Sequence, residues 1–237
     1  MRTRRFQRVL TAAAAAAVAA AVLAAGTSAA GVNAYVQHNL VSDGSLPADH
    51  VDSNLVNAWG LTAQPTSPWW VADNGTDVST IYTADGTPRP LVVSVPNAPT
   101  GAVSNTGSSF VVGSGPALFL FATEEGKILG WNSALGTMAQ VAVDRSGEDA
   151  IFKGLAIAGD RLYATDFHNG QVDVFDGSFQ PRGQLRTADG SALTIDGLWA
   201  LQFGNGTANN GPTDTLFFTA GPDDENHGLF GTIRAGG

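Results

Sequence analysis

The sequence predicts an all-β chain folded as a β-propeller with about four recognisable blades, and three observations predict it. The first is a recurring phrase: an apolar dipeptide, a small residue, a polar corner, a tight turn and then an alternating strand. It reads Trp69-Trp70-Val71-Ala72-Asp73-Asn74-Gly75, then Phe119-Leu120-Phe121-Ala122-Thr123-Glu124-Glu125-Gly126, then Leu162-Tyr163-Ala164-Thr165-Asp166-Phe167-His168-Asn169-Gly170, and last Leu216-Phe217-Phe218-Thr219-Ala220-Gly221. With Asp73, Thr123, Asp166 and Ala220 as equivalent corners, the spacings are 50, 43 and 54 residues. Periods of that size correspond to one four-stranded blade per repeat. The second observation is hydrophobic period. Val172-Asp173-Val174-Phe175 alternates as a half-buried strand, Leu118 to Phe121 is a continuous apolar run, and no window after residue 31 has the period of an amphipathic helix. The third is punctuation by Asn74-Gly75, Asp85-Gly86, Asn169-Gly170, Asp176-Gly177 and Asp189-Gly190, pairs that tolerate positive φ where a hairpin closes.

The elements follow in order. Arg2, Arg4, Arg5 and Arg8 precede an unbroken apolar run from Val9 to Ala25, and Ser28 and Ala30 stand three and one before a cut ahead of Gly31. Residues 1–30 therefore read as a secretory signal peptide, which places the chain outside the cytoplasm. The competing role is an uncleaved anchor, for which an apolar run of about 17 residues is at the short limit. Residues 31–237 read as a single propeller domain with blades at about 55–95, 103–143, 150–179 and 190–237. Gly60-Leu61, Gly154-Leu155-Ala156-Ile157 and Gly197-Leu198-Trp199-Ala200-Leu201 look like equivalent opening strands, preceded by Trp59, Lys153 and Asp196. A glycine there lets backbone crowd against a neighbouring strand. The recurring phrase supplies the second strand, and Ile81-Tyr82, Ile128-Leu129-Gly130-Trp131 and Val172 to Phe175 supply the third. The β-prone Tyr35-Val36-Gln37 or Leu40-Val41 is expected to complete the last blade beside Leu229-Phe230-Gly231-Thr232-Ile233.

Composition bounds the function. Cleavage removes four of the 12 basic residues and none of the 21 acidic ones, leaving a net charge of −13. Such a surface repels nucleic acid and anionic lipid, so neither is an expected partner. There is no cysteine, so the core carries stability without disulfides in a compartment that permits them.

Motifs of known catalysis are missing. There is no Gly-x-Ser-x-Gly elbow, no phosphate loop, no His-Glu-x-x-His, and the four histidines show no ligand spacing. The candidate metal ligands are Asp73 and Asp166, which end the same strand in two blades, with Asn74 and Asn169 beside them. If they converged near the axis they would suit a hard cation. An Asp before such a turn also fixes the hairpin by accepting backbone N–H bonds, and for a repeated position that is the stronger reading. Glu225 and His227, in the polar stretch Asp223-Asp224-Glu225-Asn226-His227, alternate along the chain and are the other candidate pair, set against a solvated hairpin. Of five tryptophans, Trp59 and Trp199 sit beside the opening-strand glycines and read as core rather than as sugar-stacking platforms.

The strand phrases resemble NHL/YVTN-like propeller repeats. More closely, the chain resembles a family of secreted bacterial β-propeller proteins. The resemblance rests on Asn39-Leu40-Val41-Ser42-Asp43, Asn57-Ala58-Trp59-Gly60-Leu61, Trp70-Val71-Ala72-Asp73-Asn74, Asp196-Gly197-Leu198-Trp199-Ala200-Leu201, Phe203-Gly204-Asn205-Gly206, Phe218-Thr219-Ala220-Gly221 and His227-Gly228-Leu229-Phe230-Gly231. It implies a fold and a compartment and no particular reaction. In the family pattern, further blades separate the strand like Val172 to Asp176 from the segment like Gly183-Gln184-Leu185. Here Phe179-Gln180-Pro181-Arg182 joins the two directly, as though roughly two blades of about 40–45 residues were missing. The ring then closes at four blades or stays an open arc with unprotected edges.

The expected function is a non-catalytic module that binds a ligand or protein partner and needs no cofactor. The alternative is a hydrolase of gluconolactonase-like type, with Ca2+ or another divalent cation on the axis. A third is a cell-envelope scaffold. Partner identity and oligomeric state are not encoded in any of these motifs.

Overall fold

Short alternating runs broken by glycine and aspartate turns give strands of two to seven residues in the computed structural model. The structure describes residues 37–204, 206, 211–220 and 229–235. Among these the only helical elements are three single 3-10 turns.

Strands β1 (Val41–Ser42) and β2 (His50–Val51) pair in parallel ahead of the first blade. Blade one is β3 (Ala58–Thr62), β4 (Trp69–Asp73), β5 (Val78–Tyr82) and β6 (Val93–Ser94). Blade two opens with β7 (Pro99–Ser104) and sets aside a small hairpin, β8 (Val111–Val112) with β9 (Gly115–Pro116). It continues with β10 (Phe119–Thr123), β11 (Lys127–Trp131) and β12 (Gln140–Asp144). Blade three is β13 (Phe152–Ala158), β14 (Arg161–Asp166), β15 (Gln171–Asp176) and β16 (Pro181–Gln184). Among the described residues blade four has three strands, β17 (Leu198–Phe203), β18 (Leu216–Ala220) and β19 (Leu229–Ile233). Every blade is an antiparallel meander, so the molecule is all-β with the four-blade propeller arrangement.

The recurring phrase forms the second strand of each blade, and its corners Asp73, Thr123, Asp166 and Ala220 pair with Ala58, Pro99, Phe152 and Leu198 of the first strands. Strand β10 is buried along its whole length because it lies between two other blades. Phe119 and Phe121 join Trp70 and Trp131 against blade one, while Leu120 and Ala122 join Phe152 and Leu162 against blade three. Trp70 fills the taper between blades one and two, 4.2 Å from the Phe119 ring and 4.8 Å from that of Trp131. Each such fully buried aromatic or leucine contributes about 1.5–3 kcal/mol of transfer free energy.

Four features differ from the sequence expectations. Blade two opens at Pro99, a strand without alternation that the sequence reading did not recognise. In blade four the counterpart of Gly60, Gly101 and Gly154 is Ala200, not Gly197. A Cβ on Gly60 would meet Thr100 O at 2.5 Å and Ala102 N at 2.7 Å, and one on Gly154 would meet Trp199 O at 2.6 Å and Leu201 N at 3.0 Å. Each glycine thus faces the same point on the next inner strand, and that series ends at Ala200. The segment Phe179-Gln180-Pro181-Arg182 is not a junction between blades but the hairpin from β15 to β16 inside blade three. The Asp176 carboxylate accepts N–H bonds from Ser178 at 2.9 Å and Gln180 at 3.0 Å and pairs with the Arg182 guanidinium. The left-handed position in that turn is Phe179 (φ 61°), not Gly177.

The fourth concerns closure. Val41 pairs with His50, not with β19. The segment from Leu40 to Asn57 lies against blade one. Tyr82 Oη donates to Asp52 at 2.9 Å, Thr76 Oγ1 donates to Asn54 O at 2.5 Å, and Gly75 N donates to Val56 O at 3.0 Å. Tyr35 and Val36 lie outside the described residues, as does the whole of 1–30.

Candidate functional site

The inner strands β3, β7, β13 and β17 are each the end strand of their sheet, and they border a shared space on the axis. That space is a cavity of about 580 Å3, lined by residues 59–62, 100–103, 153–157 and 199–203. Inter-blade ties hold its wall. Thr100 Oγ1 of blade two donates to Phe152 O of blade three at 2.7 Å, and Thr165 Oγ1 of blade three donates to Trp199 O of blade four at 2.6 Å. Successive inner strands pack closely along three seams, β3 with β7, β7 with β13 and β13 with β17. Between β17 and β3 that packing is not extensive, and the two blades meet instead through the rings of Trp59 and Trp199, stacked with centroids 5.0 Å apart and planes 22° from parallel.

This aromatic pair closes one end of the cavity around a cation. Lys153, 8 % exposed, directs Nζ to within 4.5 Å of the Trp59 centroid, 5.1 Å of Trp199 and 5.5 Å of Phe167. Nζ donates to Glu124 Oε1 at 2.6 Å. Each blade supplies a member: Trp59 from blade one, Glu124 from the β10–β11 turn of blade two, Lys153 and Phe167 from blade three, Trp199 from blade four. A cation held over several aromatic faces and shielded from water gains up to about 2 kcal/mol per favourable contact. Trp59 is oriented in turn, since its Nε1 donates to Asn57 Oδ1 at 3.0 Å while Asn57 Nδ2 donates to Asn74 Oδ1 at 2.9 Å.

Trp59 and Trp199, expected in the core, are half-buried at this end of the axis. The signal was present in the sequence. Trp59, Thr100, Lys153 and Trp199 each stand one residue before the inner-strand Gly or Ala of their blade. Placing the blade-four register at Gly197 put Asp196 where Trp199 belongs.

Asp73 and Asp166 are not brought together, and neither lines the cavity. Asp166 fixes its turn: Oδ1 accepts from Ile151 N at 3.2 Å and Asn169 N at 3.3 Å, and Oδ2 from Asn169 Nδ2 at 2.7 Å. Asp73 bonds across strands instead. Its Oδ2 accepts from Thr80 N at 3.1 Å and Thr80 Oγ1 at 2.8 Å, while Oδ1 is buried without a hydrogen-bond partner. Burial, reinforced by the nearby Asp52 charge, pushes the Asp73 carboxyl up to about 7. Glu225 and His227 lie outside the described residues. Among the described residues, no three His, Cys, Asp or Glu side chains are grouped so as to hold a metal ion.

No protein-family model matches the chain. An uncharacterised protein of Acanthamoeba polyphaga mimivirus is 31% identical over 153 residues, which are 59% of this chain and 41% of that protein. The chain spans about two fifths of the length of the curated relatives it matches. These relatives are viral, whereas the sequence motifs resemble bacterial proteins, and they do not confirm the bacterial family. Among solved structures, the hydrazine synthase of Kuenenia stuttgartiensis superimposes with a TM-score of 0.53 at 15% identity, over 85% of this chain and 49% of that one. A virginiamycin B lyase from Staphylococcus aureus aligns over 75% of this chain and 55% of its own, at a TM-score of 0.48 and 14% identity. These likenesses concern the fold alone.

Proposed function

We infer that the chain is a non-catalytic binding propeller that takes a small ligand in its axial cavity. The observation that carries this reading is the cavity itself: its volume lies within the range of small-molecule sites, and its wall combines apolar side chains with inner-strand backbone. The hydrolase alternative finds no support among the described axial residues, because Lys153 stands where that chemistry needs converging carboxylates. Export is part of the proposal and rests on the arginine-rich, alanine-rich start of the chain. Among the described residues no helix is long and apolar enough to cross a membrane.

The test uses a neutral fluorescent probe, N-phenylnaphthylamine, and the variant Ala200→Trp. Ala200 is an exposed residue of the cavity wall, so an indole there fills the space without disturbing a buried contact. The wild type is expected to bind one probe per chain saturably, and Ala200→Trp to lose that binding at an unchanged melting temperature. Absence of saturable binding, or binding indifferent to the substitution, overturns the reading.

A further inference from the structure

Resting on the axial-cavity reading, we propose that the ligand is an organic monoanion: one carboxylate or sulfonate head beside Lys153, and an apolar body along the axis. The argument begins with charge. The chain has 21 acidic residues against 12 basic ones, yet among the described residues the cavity wall holds one charged side chain, Lys153, and no carboxylate. Glu124, which pairs with Lys153, is not part of the wall, and its side chain is 39% exposed against 9% for Lys153. The pair is therefore polarised, ammonium inward and carboxylate outward. Of the three ammonium protons, the hydrogen bond formed among the described residues goes to Glu124. Aromatic faces surround the rest, and these attract the cation without supplying a hydrogen-bond acceptor.

The head-group charge follows from the same pair. One carboxylate or sulfonate that takes the ammonium from the more exposed Glu124 is matched by the single charge of Lys153, whereas a dianion brings a second charge that no described wall residue offsets. The body follows from the wall. Leu61 is 61% exposed on β3, and Ala200 is exposed on β17 across the loose seam. Both give contact area without demanding a polar partner, while the inner-strand backbone accepts from or donates to scattered polar atoms of the ligand.

The experiment pairs two probes that share aromatic rings and differ in charge: anilinonaphthalene sulfonate, an anion, and N-phenylnaphthylamine, neutral. The anion is expected to bind one per chain with a Kd about tenfold or more below that of the neutral probe, the gain of a charge-assisted contact. Lys153→Met should abolish that preference and leave the neutral probe bound. Glu124→Gln, which removes the competing carboxylate and keeps the ammonium, should tighten the anion severalfold; this second variant keeps the test decisive if Lys153→Met fails to fold. Equal affinities in the wild type, or no change in the anion's affinity in Glu124→Gln, overturn the monoanion assignment. The cavity reading survives that result as long as the neutral probe binds and Ala200→Trp blocks it. If neither probe binds, both conclusions fall.

Discussion

Asp73 and Asp166 hold the same position in two copies of one repeat, and their hydrogen-bond surroundings differ. Asp166 accepts two backbone N–H bonds and an asparagine amide, which ties the turn after its strand to the start of the blade. Replacing it by alanine should cost about 0.5–2 kcal/mol, the range of a lost side-chain cap, measured by denaturant unfolding near neutral pH. Asp73 is buried with one oxygen unpartnered, and its carboxyl is raised from 3.8 to about 7. Because the folded value lies above the unfolded one, the folded state binds the extra proton between them. The contribution of Asp73 to stability is thus full below the unfolded value and is lost as pH rises through about 7. Asp73→Asn, which keeps an acceptor for Thr80 and cannot ionise, should flatten that part of the stability-against-pH curve and raise the melting temperature at mildly alkaline pH. A wild-type melting profile that does not fall over this window, or an Asn variant that follows the same slope, contradicts it. From the sequence both residues read as turn acceptors. That reading describes Asp166, whereas the Asp73 environment depends in part on Asp52, brought in by a segment with no repeat signature and held there by Tyr82 of β5.

At the scale of strands, the second and third of each blade were legible because they are where the repeat concentrates its apolar pairs and turn residues. The inner strands were less so. Their code is a single small residue fitting against the next blade, not a pattern within the strand. Pro99-Thr100-Gly101-Ala102 has no alternation, and Gly197 resembles an opening-strand glycine while serving as a turn residue at φ 64°. The close-approach rule makes a prediction of its own. A methyl group on Gly101 runs into Lys153 O and Gly154 Cα of the following inner strand, both backbone atoms that cannot swing aside. Gly101→Ala should therefore cost roughly 1–3 kcal/mol or more through overpacking. Ala200→Gly, at the equivalent site where the native chain already carries a methyl, should cost only about 0.5–1 kcal/mol of added chain entropy. Parallel urea melts decide the matter, and similar costs at the two sites would mean that the inner strands are not packed as described.

At the scale of the whole propeller, the asymmetry lies in its fourth seam. Three seams are made by inner strands packed backbone to backbone, two of them tied further by threonine hydroxyls. Across the fourth, the described connection is one stacked tryptophan pair with Lys153 against both rings. The sequence posed the choice between a closed four-blade ring and an open arc without deciding it, because the deciding contact joins residues 140 positions apart, and Gly197, which resembles an opening-strand glycine, hides the register that aligns Trp199 with Trp59. If the pair couples blade one to blade four, removing either ring forfeits the same interaction, so the two losses are not additive. A double-mutant cycle of Trp59→Leu and Trp199→Leu should then return a coupling of about 0.5–1.5 kcal/mol, the range for stacked aromatic pairs in contact. Leucine keeps much of the apolar area, which isolates the ring–ring term from simple loss of burial. A structural readout accompanies the energetic one: two stacked indoles give an exciton-coupled band in the far-ultraviolet circular dichroism, and either single substitution should remove the part due to this pair while leaving that of Trp70 and Trp131. Additive losses together with an unchanged band would show that the two rings do not meet and that the four blades form an arc open at this seam.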